Sequence, residues 1–137
     1  FFFAEDESYR HYLNAEQFKL AYRVKTMLHS DAMLGLSSDA PCTPWAEPDS
    51  PFYSIYAAVT RKAANDDVVN AEEAITVPQA VLGYTRDGAK IGGFDDNGTL
   101  EVGKSADFVI LNKDIFNVPH DDLQNVRVKE TWMSKGF

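Results

Sequence analysis

The run Met33-Leu34-Gly35-Leu36 constrains this chain more than any other feature. Four apolar residues without a polar interruption are the pattern of a strand buried on both faces. Such a strand needs strand neighbours and covering helical layers, and each parallel neighbour requires a crossover of a dozen or more residues. The sequence supplies helix, run and helix over about 15–64, one unit of a parallel α/β sheet, and no second unit of that kind. The run is therefore expected to find its partners outside this sequence, which reads as part of a larger fold truncated on its N-terminal side.

Local signals organise the rest. Residues 1–13 mix aromatic and charged side chains without clear periodicity and read as a loop with a turn of helix. Asn14 with Gln17 is a capping box, and Leu20, Ala21, Val24, Met27 and Leu28 at helical spacing predict an amphipathic helix over 15–29. Ser30 and Asp31 end it, and a proline-rich loop follows the apolar run as far as Pro48. Ser50 with Pro51 opens a second helix running to about Ala64. Thr76 with Gln79 opens a third, presenting Ala80, Val81 and Tyr84 on one face, and Gly92-Gly93 closes that stretch. Beyond it, 98–102, 107–111 and 126–133 read as strands separated by turns. The division expected is 1–93, the last segments of one layered unit, and 94–137, part of a smaller β domain.

Composition narrows the function classes. With 45% hydrophobic and 12% aromatic residues the chain of 137 belongs with folded proteins. Thirteen basic against twenty-one acidic side chains give a net charge of −8, so a phosphate backbone would be repelled and no nucleic-acid partner is expected. Cys42 is the single cysteine, which excludes an internal disulfide and suits a reducing compartment. No apolar run approaches the roughly 20 residues of a membrane helix, and the opening Phe1-Phe2-Phe3 runs at once into Glu5, Asp6 and Glu7, unlike a secretory leader. The expectation is a cytoplasmic protein acting on a small molecule, with no membrane partner.

Five stretches carry a resemblance. The segments LGLSSDAPCTPW, SPFYSIYAAVTRK, ITVPQAVLGYT, GTLEVGKSADFVIL and VRVKETWMSKG, in that order, resemble the C-terminal portion of the amidohydrolase superfamily, and more narrowly its YtcJ-like branch of metal-dependent hydrolases. The likeness runs from about Tyr22 to Phe137, and residues 1–21 also resemble the segment before the last barrel strand of that branch. It implies an α/β fold, the C-terminal fragment of a (β/α)8 TIM barrel plus the closing strands of a small β-sandwich built from both chain ends. It further implies an active site at the C-terminal ends of the barrel strands. One or two divalent cations, commonly zinc, would be held there by a His-x-His pair, a bridging residue, two later histidines and an aspartate ending the eighth strand. By motif that aspartate is Asp39. The three histidines here, His11, His29 and His120, form no His-x-His pair, so the isolated stretch could lack the metal and is expected to be inactive alone.

The chemistry suits an acid at that place. A divalent cation lowers the pKa of bound water towards neutrality and polarises a scissile carbonyl. A carboxylate beside it can take a proton and deliver it to a leaving amine. Asp39 is thus the expected metal ligand and catalytic proton shuttle for hydrolysis of an amide or cyclic amide C–N bond. Without the resemblance, Asp39-Ala40-Pro41 would read as turn chemistry.

The remaining candidates each have a plainer alternative. Ser38 could bind substrate or only satisfy backbone at the strand end. Trp45 could line a substrate pocket or cover a core edge. Arg61 could hold a substrate carboxylate, though a cation at a helix C-terminus ordinarily complements the dipole. Cys42 lacks a basic neighbour that would make it a nucleophile. Lys104 and Asp107 are expected to fix a turn leading into a strand, and His120 with Asp121 and Asp122 reads as a solvated cluster. A calcium-loop alignment of 93–104 puts Gly93 and Lys104 where carboxylates are required, and GYTRDGAK carries Ala89 where a phosphate loop needs lysine. Against the hydrolase stands one other reading, a non-catalytic binding or structural remnant of the barrel. On the hydrolase reading the isolated stretch should expose apolar faces at 33–36 and along the sandwich edge, and associate through them, as a homo-oligomer or through exposed strand edges.

Overall fold

The structure, a computed structural model, describes residues 2–41, 47 and 49–134. Six helices, α1 (Phe2–Tyr12), α2 (Ala15–Lys19), α3 (Val24–Leu28), α4 (Pro51–Thr60), α5 (Val77–Tyr84) and α6 (Arg86–Ile91), precede two strands, β1 (Phe108–Leu111) and β2 (Val128–Trp132). Short 3-10 turns at Ala71–Glu73 and His120–Asn125 complete the order. No helix among the described residues is long and apolar enough to cross a membrane.

Helix α4 is the centre of the core. Pro51 occupies its first turn, where a missing N–H costs nothing, and Phe52, Ile55, Tyr56, Ala57, Ala58 and Val59 are all buried. Around it pack Phe3 of α1, Val77 and Ala80 of α5, Val69 and Ile75, and Ile115, Leu123 and Val126 from the C-terminal stretch. Small residues at 57 and 58 let neighbours approach: Ile75 N–H reaches the carbonyl of Ala58 at 3.1 Å. The helix stops at Thr60, short of Ala64, because Arg61 turns left-handed (φ 60°) while its N–H still bonds to Ala57.

Arg61 explains this early stop. It is fully buried, donating from Nε to the Val69 carbonyl (2.8 Å) and from a terminal nitrogen to that of Tyr22 (3.1 Å). Of the two readings of Arg61 from sequence, the structural one is the one these backbone contacts suit. Burial lowers its pKa, against Glu73 and Glu72, which raise it. Glu73 is buried nearby and accepts from Thr26 N–H (2.8 Å) and the Thr26 hydroxyl, fastening α3 to the Ala71–Glu73 turn. Burial pushes the Glu73 carboxyl up, but those two hydrogen bonds, with Arg23 and Arg61, outweigh it and hold the group below its ordinary value.

The same contacts divide the helix expected over 15–29. The capping box at Asn14 and Gln17 forms, with both hydrogen bonds in place. The Asn70 side-chain amide then takes the carbonyls of Phe18, Lys19 and Ala21, Arg61 takes that of Tyr22, and Tyr22 turns left-handed (φ 55°) between α2 and α3. In the other direction, residues 2–12 form a full helix where only a turn was expected, because Phe3 enters the core against Tyr53 and Tyr56 and buried Asp6 pairs with Arg10. The third predicted helix opens on its Thr76–Gln79 box but breaks at Thr85, whose hydroxyl bonds back to the Val81 carbonyl.

The described residues hold one two-stranded antiparallel sheet, and no barrel is assembled among them. Phe108 pairs with Trp132, Val109 with Thr131, Ile110 with Glu130 and Leu111 with Val128, with an irregularity after Ile110. The Phe108 and Trp132 rings stack with centroids 6.1 Å apart. Two of the expected strands do not form. Residues 98–102 make none, Leu100 and Val102 facing solvent. Residues 33–36 form no strand: Met33 is 51% exposed, the next three are half-buried, and no second strand lies beside them among the described residues.

Two outcomes follow for stability. Leu123→Ala, a truncation of a fully buried side chain against α4, should cost about 2–5 kcal/mol in urea unfolding followed by circular dichroism. Glu73 titrates below the unfolded glutamate value of about 4.3, so it stabilises the fold above that pH and stops doing so as pH falls through its folded value. Glu73→Gln should therefore lower the melting temperature at neutral pH, with the gap to the parent closing on acidification. A gap constant across pH would refute this assignment.

Candidate active-site segment

Residues 33–38, without regular secondary structure, lead into a corner at Asp39, which is exposed and left-handed (φ 52°), its N–H directed at Ser37 Oγ at 3.4 Å. Aspartate is one of the few side chains that tolerates this conformation, because its short polar group can bond locally. Ahead of the corner, the segment lies against the end of α5. Leu36 N–H donates to the Gly83 carbonyl at 3.0 Å. Gly83 permits this approach, since a Cβ there would stand 2.9 Å from Leu36 Cγ. Ser38 Oγ and the Tyr84 hydroxyl share a hydrogen bond of 3.1 Å.

Tyr84 also lines a cavity of about 790 Å³ with Phe52, Ile55, Phe94, Phe108 and Ile115, a volume in the range of small-molecule sites. The cavity lies between the α4–α6 helices and the β1–β2 sheet, and its polar lining includes Asp107 and Asn97. Asp107 accepts from Asn97 Nδ2 (2.5 Å), Ser134 N–H (2.7 Å) and Ser134 Oγ (3.0 Å), so it joins the turn before β1 to the stretch just past β2.

Of the four residues singled out from sequence, the three among the described residues do not gather into one site. Ser38 and Asp39 are adjacent at the corner. Arg61 belongs to the buried cluster with Val69 and Tyr22. Trp45 lies outside the described residues. At the other acidic candidate, Asp121 pairs with Lys62 at 2.7 Å, while Lys113 and then Asn125 hold Asp122 below its ordinary pKa. Tyr84 and Gly83 escaped the sequence reading as parts of a site: their partner is some 46 residues away, and nothing local to a helix end announces it.

As a ligand Asp39 fits one donor's share of a divalent-metal site, a hard carboxylate oxygen open to solvent. Among the described residues no group of three or more His, Cys, Asp and Glu side chains gathers, so further donors would have to come from elsewhere in the polypeptide.

Comparison with known proteins bears on the whole segment. The sequence model of the amidohydrolase family matches residues 1–134. The chain is 29% identical over 121 residues to an N-substituted formamide deformylase of Arthrobacter pascens, covering 88% of this chain and 21% of that protein. It is 30% identical over 123 residues to the amidohydrolase-family protein YtcJ of Bacillus subtilis (strain 168), covering 87% of this chain and 22% of that one. The chain thus spans about a fifth of the length of these relatives. No solved structure matches it with significance. With a family match over nearly its whole length and motifs in register from the Asp39 corner to β2, the chain belongs to the amidohydrolase family, in its YtcJ-like branch.

Proposed function

We propose that the polypeptide containing this segment hydrolyses a C–N bond of an N-substituted formamide or similar small amide, with Asp39 at the reacting centre. The observation that carries the reading is the exposed Asp39 carboxylate at the tip of a segment held by α5. Family membership supports hydrolysis at the coarse level, and the deformylase relative supports the formamide class. A divalent cation, zinc in this proposal, would supply Lewis-acid polarisation of the carbonyl and lower the pKa of water.

The chain's own contribution is specific. One Asp39 oxygen would serve as a ligand, and the carboxylate would hold the proton removed from attacking water until the amine nitrogen leaves with it. Ser38, hydrogen-bonded to Tyr84, stands beside it as a substrate contact. The acidic composition and single cysteine favour a cytoplasmic setting.

The test uses the full-length polypeptide, loaded with zinc, and formate release from an N-substituted formamide. Asp39→Asn should lower kcat by about 10²–10⁴-fold, the usual span for removing a positioned acid–base group. Formate release undiminished in that variant would sink the assignment of Asp39.

A further inference from the structure

The end of α5 touches the Asp39 segment in three ways. The Gly83 carbonyl accepts the Leu36 N–H at 3.0 Å, the missing Gly83 side chain leaves room for Leu36, and the Tyr84 hydroxyl meets Ser38 Oγ at 3.1 Å. Gly35, one residue earlier, packs against α6, where an added Cβ would meet Ile91 Cδ1 at 3.0 Å and Gly88 Cα at 3.4 Å. The segment is thus held at 35, 36 and 38, immediately before the left-handed residue that bears the carboxylate.

We propose that Gly83 and Tyr84 form a positioning clamp that fixes the direction of Asp39 through Leu36 and Ser38. The inference rests on the reading of Asp39 as a ligand. Backbone bonding at Leu36 sets the position of the segment, but a single backbone bond leaves rotation about it open. The Tyr84–Ser38 bond, two residues further on, restrains that rotation on the side facing α5. Asp39 then leaves the segment from a restrained backbone instead of a swinging loop end. A phenol suits this role because it joins an apolar ring to a hydroxyl, and Tyr84 lines the cavity with Val81 and Phe52. Tyr84 touches no reacting atom in this scheme. It is a positioning residue.

The distinguishing experiment measures Co(II) binding to the full-length polypeptide, by competition with a chromophoric chelator and by the cobalt d–d absorption band. Tyr84→Phe and Ser38→Ala remove the same hydrogen bond from opposite ends. Each should weaken Co(II) binding about 10–100-fold and alter the band, as loss of an outer-shell partner does. The losses in the double variant should be less than additive, because both substitutions remove the same Tyr84–Ser38 bond. Unchanged affinity and band in either single variant, or losses that add in the double variant, would overturn the clamp. Should Tyr84→Phe lose its fold by circular dichroism, Ser38→Ala decides alone by the same criteria. Asp39→Ala separates the clamp from the ligand reading beneath it. If that variant binds Co(II) as tightly as the parent, the ligand reading itself fails, whereas a weakened Asp39→Ala beside unaffected clamp variants refutes the clamp alone.

Discussion

A buried guanidinium organises the N-terminal half of this chain. Arg61 ends the central helix, and taking a cation out of water is tolerated only where its donors find acceptors. Here the acceptors are the carbonyls of Val69 and Tyr22, from segments far apart in the sequence, with Glu73 supplying negative charge nearby. Satisfying Arg61 therefore requires the turn at 61–69, the left-handed residue at Tyr22 and the placement of the Ala71–Glu73 turn all at once. The break between α2 and α3 follows in part from the same demand, since Arg61 takes the Tyr22 carbonyl there beside the carbonyls held by Asn70.

A second set of contacts, smaller in area, bears on function. The path from the core to Asp39 runs through α5: Ala80 and Val77 anchor that helix against α4, and its last turn holds the segment that leads to Asp39. Helix α5 thus connects a packed interior to an exposed acid. Small residues are what make the connection possible, since Gly83 and Gly35 sit where a methyl group would collide with Leu36 or Ile91.

The sheet is less enclosed. All of β2 and three residues of β1 are exposed, with Trp132 54% open to solvent although stacked on Phe108. Together with Met33, Leu100 and Phe94, these side chains present apolar surface that a compact domain of this size would ordinarily bury. The family relatives are about five times longer than the aligned segment.

Sequence alone determined the features that depend on near neighbours. The boxes at Asn14–Gln17 and Thr76–Gln79, the Pro51 helix start and the β1 and β2 stretches were legible because caps, first-turn proline and alternation act within a few residues. The SSDAP motif marked Asp39, and five motifs in order marked the family. What tertiary structure decided was wherever a distant group overrode a local preference. Asn70 and Arg61 capture carbonyls that would have continued a helix, Phe3 in the core turns an aperiodic stretch into one, and Tyr84 reaches Ser38 across the fold. Arg61 is an internal strut for the same reason: its charge was visible in the sequence, but the carbonyls it donates to are brought there only by folding.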